Sequence, residues 1–554
     1  MIKENFVNLY KISFENNWDL PGLSDYSTGE TLYYKDFARE IARIHLLFDS
    51  LGVKRRDKIA LIGRNNIQWC TTYIATLTYG AVIVPILQDF HPSNVEHIVD
   101  HSESKFLFAD SNIFNTLNVK NMPNLKAAFS VDCFQFNCLY QENENNFAER
   151  TGQLDTIMNQ KYPNGYTKED IKYADVDNSE LVLINYTSGT TGFSKGVMLS
   201  ANNLAGNVTH ANYLKLLFRG ESIASFLPLA HAYGCAFEFL YALTEGAHVT
   251  LLGRPPAPKI IRDAFASIKP KLIIAVPLVL EKMYKTAILP KIDKPIMKIL
   301  LATPGINKLI YKKIRESLYE ALGGSFRQII IGGAALNAEV EAFLYKIKVP
   351  FTVGYGMTEC APLISYSHHY EFIPTSCGKI LDNIMEVRID SEDPYKSIGE
   401  IQVRGENVMM GYYKNEQATK EAFTEDGWLK TGDLGTINKD KHIFIRGRSK
   451  TMLLGPNGQN IFPEEIEAKL NNLQYISESL IVQRKDKLIA LIFPDLEAME
   501  RDDVQREQLD DIYKQHVKSA NSMLANYERI ASIEIRDTDF EKTPKKSIKR
   551  FLYS

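Results

Sequence analysis

The chain has 554 residues, 45% of them hydrophobic and 24% charged, with a formal net charge of −3. That length is too great for one ordinary hydrophobic core and predicts at least two domains. The near-neutral charge argues against a nucleic-acid partner, which calls for a basic excess.

The six cysteines at 70, 133, 138, 235, 360 and 377 show neither a CxxC pair nor zinc spacing, which predicts free thiols in a reducing compartment. The opening MIKENFVNLYKISFENNWD is polar and acidic and predicts no signal peptide. The longest apolar run, LIIAVPLVL at 272–280, falls far short of the ~18–20 residues that span a bilayer. A cytoplasmic protein, or one peripheral to the inner face of the membrane, is expected.

In chain order, Phe37, Ile41, Ile44, Phe48 and Leu51 recur at helical spacing, and Gly52 follows as a stop. KIALIG (58–63) reads as a buried strand, 67–79 as a helix ending at Gly80, and AVIVPI (81–86) as strand again. A helix at 94–101 leads to a strand in KFLFA (105–109). This repeated βαβ rhythm implies an α/β fold with a largely parallel sheet covered by helices on both faces. The stretch 139–178 is polar and weakly patterned and reads as a long connection. LVLINY (181–186) is a strand running into a glycine-rich loop, after which Ser200 caps a helix reaching about 215. LIIAV (272–276), QIIIGG (328–333) and FTVGYG (351–356) are short strands ending in turns. From about 380 the rhythm becomes strand on strand, in IMEVRID, GEIQVRG and HIFIRGR. Beyond Lys450 come a strand pair, LIVQRK and KLIALIF, a charged helix over about 502–525, and a strand in IASIEIRD. The expected organisation is a large domain of packed α/β subdomains over 1–449 and a small mobile α+β domain over 450–554.

The glycine loop YTSGTTGFSKGV (186–197) looks at first like a nucleotide-phosphate loop. A Walker loop requires GxxxxGK[ST] with the hydroxyl on Mg²⁺. Counted from Gly189, Ser194 stands where the second glycine belongs, and Gly196 follows Lys195 where Ser or Thr is needed. The run instead offers hydroxyls and backbone N–H groups from Thr187, Ser188, Gly189, Thr190, Thr191 and Gly192, with Lys195 adding a positive charge. This suits a triphosphate whose β and γ groups leave together as pyrophosphate. A flexible Ser/Thr/Gly surface turn would share the composition, but not the adjoining buried strand and basic end.

Three further segments carry chemistry. PLAHAYG (228–234) sets His231 between apolar turns, where a lone histidine is often only a satisfied core residue. In VGYGMTEC (353–360) Tyr355, flanked by Gly354 and Gly356, can lie flat on a purine, and Glu359 offers a hard oxygen to Mg²⁺; an ordinary turn after a strand is the alternative. In WLKTGDLG (428–435) Asp433 can accept two ribose hydroxyls or be a simple turn former.

Together these segments resemble the adenylate-forming superfamily of acyl-CoA synthetases, luciferases and peptide-synthetase adenylation domains. The resemblance runs over nearly the whole chain and is greatest to bacterial long-chain fatty acid–CoA ligases. It implies that Tyr355 stacks on adenine, Thr358 contacts the α-phosphate and Glu359 binds Mg²⁺, with Met357 completing the YGMTE segment. IGGAAL (331–336), with Gly333 and Ala334, resembles the stretch lining the adenine and acyl sites, and His231 falls beside the acyl pocket. Asp433 and Arg448 fall where the ribose or phosphate is held, and Lys450 at the hinge between the domains.

The chain departs from the family at its C-terminal lysine. That residue sits in a TPxGKxxR-like segment, and TPKKSIKR (543–550) puts Ser547 at its position, between Lys546 and Lys549. In an extended segment Lys549 shares a face with Ser547 and is the expected substitute.

The implied reaction uses ATP, Mg²⁺ and CoA: a fatty acid becomes an acyl-adenylate with release of pyrophosphate, then a thioester with release of AMP. Rival readings are an acyl-AMP ligase serving a carrier protein and a nucleotide-binding protein without turnover. The apolar stretches AFEFLYAL (236–243) and LIIAVPLVL read equally as tunnel lining or ordinary core. Because fatty substrates partition into bilayers, transient peripheral membrane contact is expected, with no segment in the sequence to assign it to.

Overall fold

The structure is a computed structural model that describes residues 2–142, 146–187, 194–253, 257–455, 459–485, 487–543 and 547–553. Its N-terminal part is built on two large sheets, each the centre of one packed α/β subdomain. The first has eight strands, in the spatial order Gly411–Tyr412, Lys195–Ser200, Leu181–Thr187, Val82–Ile86, Lys58–Ile62, Phe106–Ala109, Ala127–Ser130 and Cys138–Gln141. Its middle is parallel and both edges are antiparallel. The second has seven, in the order Phe351–Val353, Gln328–Ile331, Leu272–Ala275, Ser222–Ser225, His248–Leu251, Pro21–Asp25 and Thr31–Tyr33, parallel except for the last pair. Buried on both faces, the parallel strands are the continuous apolar runs of the sequence, such as Ile329–Ile331.

The helices form where the pattern placed them. Tyr34–Leu51 buries Phe37, Ile41, Ile44, Phe48 and Leu51, and Gly52 ends it in the left-handed conformation that glycine adopts without a Cβ clash. Ile67–Tyr79 ends likewise at Gly80, and Ser200 caps Ala201–Leu214 by accepting from the Asn203 N–H.

The stretch read as a long connection over 139–178 carries regular structure in its described residues up to Lys161, and only beyond that runs on as a mostly irregular connection. It continues the strand Cys138–Gln141 and adds the helices Phe147–Gly152 and Leu154–Lys161. Phe147 and Leu154 are buried in the main core, and Met158 packs against Ala42 and Leu46 of a much earlier helix. Three long-range apolar anchors override a polar local pattern. The charged helix expected over 502–525 is shorter, Leu509–Ser522, with Leu496–Arg501 before it.

Four antiparallel strands, Met385–Asp390, Gly399–Gly405, Leu429–Ile437 and Ile443–Arg448, follow the two large sheets. Buried apolar residues then fall into separate clusters, one running from Phe6 to Ile443 and another from Ile461 to Ile530. The later residues form a small α+β unit on the strands Ile476–Arg484, Lys487–Pro494 and Ile530–Ile535. The six cysteines are free thiols. Among the described residues no helix is long and apolar enough to cross a membrane.

Candidate active site

The loops that carry the expected site residues leave the carboxyl ends of parallel strands, where diverging connections open a crevice. His231 follows Ser222–Ser225, Gly333 and Ala334 follow Gln328–Ile331, and the Gly354–Glu359 segment follows Phe351–Val353. Thr187 ends the strand Leu181–Thr187, half-buried. Ser188, Gly189, Thr190, Thr191 and Gly192 lie outside the described residues.

Hydrogen bonds tie these ends together. The Asn185 amide donates to the Ala230 carbonyl at 3.1 Å, which holds the strand before the glycine loop against the His231 segment. The Tyr233 hydroxyl donates to the Ile330 carbonyl at 3.1 Å. The same ring leaves Gly332 no room for a side chain, since a Cβ there would stand 2.9 Å from Tyr233 Cζ. The Gly354 N–H donates to the Ile331 carbonyl at 2.8 Å. His231 is half-buried, and its Nδ1 accepts from the Tyr233 N–H at 3.3 Å, so in the neutral ring the proton belongs on Nε2. Gly333 and Ala334 are exposed, Met357 half-buried and Thr358 buried.

Two side-chain clusters result. In the first, Lys195 opens the strand Lys195–Ser200, and Gly411–Tyr412 pairs antiparallel beside it with Tyr412 opposite Val197. That register puts Lys195 Nζ 4.8 Å from the centre of the Tyr412 ring, a cation–π contact. The Tyr412 hydroxyl donates to Glu359 Oε1 at 2.9 Å. Burial first, and then the Glu359 carboxylate, push the phenol far above its ordinary range, so Tyr412 keeps its proton and stays a donor. Glu359 stands in the single turn Thr358–Cys360, fixed by two buried amides, Asn207 and Asn407, that each donate to the Cys360 carbonyl at 3.0 Å.

In the second cluster, Asp433 and Arg448 face one another across the strands Leu429–Ile437 and Ile443–Arg448. Arg448 Nε lies 3.1 Å from Asp433 Oδ1, and the Tyr355 hydroxyl donates to Oδ2 at 2.6 Å. Asp433 is 4% exposed while the Arg448 side chain is 66% exposed, so the carboxylate is a buried acceptor with its cation on the solvent side. Burial raises the Asp433 carboxyl above its usual range, Arg448 and Tyr355 pull it back down, and Glu464 of the C-terminal unit raises it further. Gly356 has a steric reason to be glycine: a Cβ there would stand 2.1 Å from the Pro362 carbonyl oxygen.

Neither cluster includes the C-terminal candidates. Lys549 Nζ lies 3.4 Å from Glu541 within its own unit, Ser547 is exposed, and Lys546 lies outside the described residues. Lys450 is exposed in the turn after the strand Ile443–Arg448. Sequence reading missed Tyr412 and the asparagines Asn185, Asn207 and Asn407, because their partners are distant in the chain. The only local signal was the GYY run itself. No group of three or more His, Cys, Asp or Glu among the described residues is placed to hold a metal. A lone carboxylate such as Glu359 suits an ion that brings oxygens with its ligand, as Mg²⁺ does with phosphate.

A sequence profile of the AMP-binding enzyme family matches residues 14–413, and one for the AMP-binding enzyme C-terminal domain matches 451–553. The chain belongs to the AMP-binding enzyme family. Among relatives of this AMP-binding enzyme, the long-chain-fatty-acid–CoA ligase FadD15 of Mycobacterium bovis is 29% identical over 494 residues, covering 84% of this chain and 77% of the relative. The long-chain-fatty-acid–[acyl-carrier-protein] ligase AEE15 of Arabidopsis thaliana is 26% identical over 576 residues, covering 89% and 76%. The crystal structure of ATP-bound MatB from Rhodopseudomonas palustris matches in fold, with a TM-score of 0.75 at 21% identity over 99% of this chain and 98% of that one. The expected superfamily and its two-part α/β architecture are thereby borne out.

Proposed function

We propose that the protein activates a fatty acid with ATP and passes the acyl group to CoA, as an AMP-forming acyl-CoA synthetase. The observation that carries this reading is the convergence of Lys195, Tyr412 and Glu359 beside the end of the glycine loop, with the buried Asp433 acceptor held by Tyr355. In the first half-reaction a fatty carboxylate oxygen attacks the α-phosphorus of ATP. The new C–O–P linkage forms as the bond from the α-phosphorus to the bridging oxygen breaks and pyrophosphate leaves. Charge accumulates on phosphoryl oxygens, so the useful groups are electrostatic. Thr187, the loop through Gly192, and Lys195 hold the departing pyrophosphate. Thr358 contacts the α-phosphate, the Tyr355 ring supports the adenine beside Gly333, Ala334 and Gly354, and Asp433 with Arg448 takes the ribose. Glu359, steadied by Tyr412, would hold Mg²⁺, which supplies charge neutralisation on the phosphates. His231 lies beside the fatty carboxylate.

In the second half-reaction the CoA thiol attacks the acyl carbonyl and AMP leaves. The residues beyond Lys450 turn about that exposed position as a small domain, 450–554, against a large one, 1–449. Two polar contacts that such a turn would exchange are Lys285 Nζ to the Asn471 carbonyl and Asn337 Nδ2 to Asn472 Oδ1, each 2.5 Å. Lys549, now against Glu541, is the candidate to substitute for the family lysine in the adenylation step. Likeness to the mycobacterial ligase supports a long acyl chain. Likeness to the plant enzyme supports a second reading, in which the acceptor is a carrier protein. Purified protein incubated with ATP, Mg²⁺, CoA and a ladder of fatty acids tests both. AMP with acyl-CoA is expected; stalled acyl-adenylate transfers the assignment to the carrier-protein reading, and ADP rejects both.

A further inference from the structure

The four most exposed aliphatic side chains among the described residues are Ile296 (75%), Leu309 (70%), Ile299 (68%) and Leu278 (64%). All four belong to one helical excursion between the strands Leu272–Ala275 and Gln328–Ile331. Three of them stand on two adjacent helices. Pro295–Ala302 has no buried residue, and Ile306–Ala321 buries only Leu318. Ile296 and Ile299 share a helix face at i,i+3 spacing. The charge is as unusual as the exposure. The excursion, 276–327, holds ten lysines and arginines against four acids, Glu281, Asp293, Glu316 and Glu320, a net of +6 on a chain whose total is −3. Lys298 pairs with Asp293 at 2.7 Å. Lys291, Lys294 and Lys308 are exposed with no ion pair among the described residues.

Exposed isoleucine and leucine alternating with lysine on helices is poorly suited to water and well suited to an interface. Aliphatic tips enter the acyl boundary while lysine stems run along it and keep their ammonium groups among anionic headgroups. We propose that the helices Pro295–Ala302 and Ile306–Ala321 dock the protein on an anionic lipid bilayer. A lipid surface fits better than an acidic protein. The apolar residues are spread over two helices and separated by charge, rather than gathered into a groove that would seat one partner. The proposal stands on this surface and not on the reaction assigned above.

The test is flotation of the full chain with vesicles of phosphatidylcholine alone or with about a third phosphatidylglycerol, at low and high salt. Binding is expected only with the anionic lipid, and it weakens as salt rises. Lys291→Glu/Lys294→Glu/Lys308→Glu should weaken it about 100-fold, since each lysine near an anionic leaflet contributes roughly fivefold. Ile296→Glu/Ile299→Glu/Leu309→Glu should weaken it at constant salt. Both variants should keep native unfolding midpoints and the wild-type rate on an acid short enough to stay monomeric in water. No binding to anionic vesicles, binding unchanged in both variants, or capture of an acidic carrier protein without vesicle binding would each overturn the proposal.

Discussion

Replacing Tyr412 with phenylalanine removes one atom and leaves the ring. In the structure that atom is the donor of a 2.9 Å hydrogen bond to Glu359 Oε1, and the retained ring still lies 4.8 Å from Lys195 Nζ. A hydrogen bond to a charged acceptor contributes about 1.5–3 kcal/mol. If Glu359 must be oriented to meet the phosphate-bound ion, that loss is roughly 10- to 150-fold in the adenylation step. Tyr412→Ala also discards the cation–π contact, about 0.5–2 kcal/mol more, and should be slower still. The assay is fatty-acid-dependent exchange of labelled pyrophosphate into ATP, with Mg²⁺ titrated and the unfolding midpoint measured alongside. The expected order is wild type, then Tyr412→Phe, then Tyr412→Ala, with a raised Mg²⁺ requirement and a fatty-acid KM that moves little. Both variants within twofold of wild type at native stability would refute the role given to this cluster.

Lys195→Ala should lower the same exchange about 100-fold or more, the scale of losing one group that stabilises developing charge; near-normal exchange would remove the glycine-loop assignment. Gly356→Ala places a Cβ 2.1 Å from the Pro362 carbonyl and should cost about 1–3 kcal/mol in urea unfolding, whereas an unchanged midpoint would contradict the packing described. The buried Glu238 bears on pH. Burial holds its carboxyl well above the ordinary glutamate value of about 4.5, although its Oε2 accepts from Ser225 Oγ at 3.0 Å and from the Leu227 N–H at 3.2 Å. The folded pKa is the higher one, so its contribution to stability is complete below about pH 4.5 and is lost as pH rises towards the folded value. Glu238→Gln should therefore match wild type in acid and gain on it above that pH, by up to about 1.4 kcal/mol per unit. An identical stability difference at about pH 5 and about pH 8 would contradict this.

Much of this was legible because the informative signals are local. The 3.6-residue spacing from Phe37 to Leu51 with Gly52 behind it, the apolar run of Leu181–Thr187, and the capping Ser200 each fix an element within its own window. The glycine motifs were legible for the same reason, since each directly follows a strand read in its own window, whereas the strand Ser222–Ser225 ahead of His231 was not read. What was hidden depends on partners far along the chain. Phe147, Leu154 and Met158 make helices of a polar stretch only by packing on a distant core. Tyr412 joins Lys195 to Glu359 only because its short strand adds to a sheet edge more than two hundred positions earlier in the sequence. The strand order within each of the two sheets is set by long-range pairing, on which periodicity is silent.

The central claim is that a carboxylate oxygen attacks the α-phosphorus, and oxygen labelling tests it most directly. A fatty acid carrying ¹⁸O in both carboxylate positions, converted with ATP and CoA, should leave one labelled oxygen in the AMP and the other in the thioester carbonyl. Unlabelled AMP, or label in inorganic phosphate beside ADP, would contradict the account.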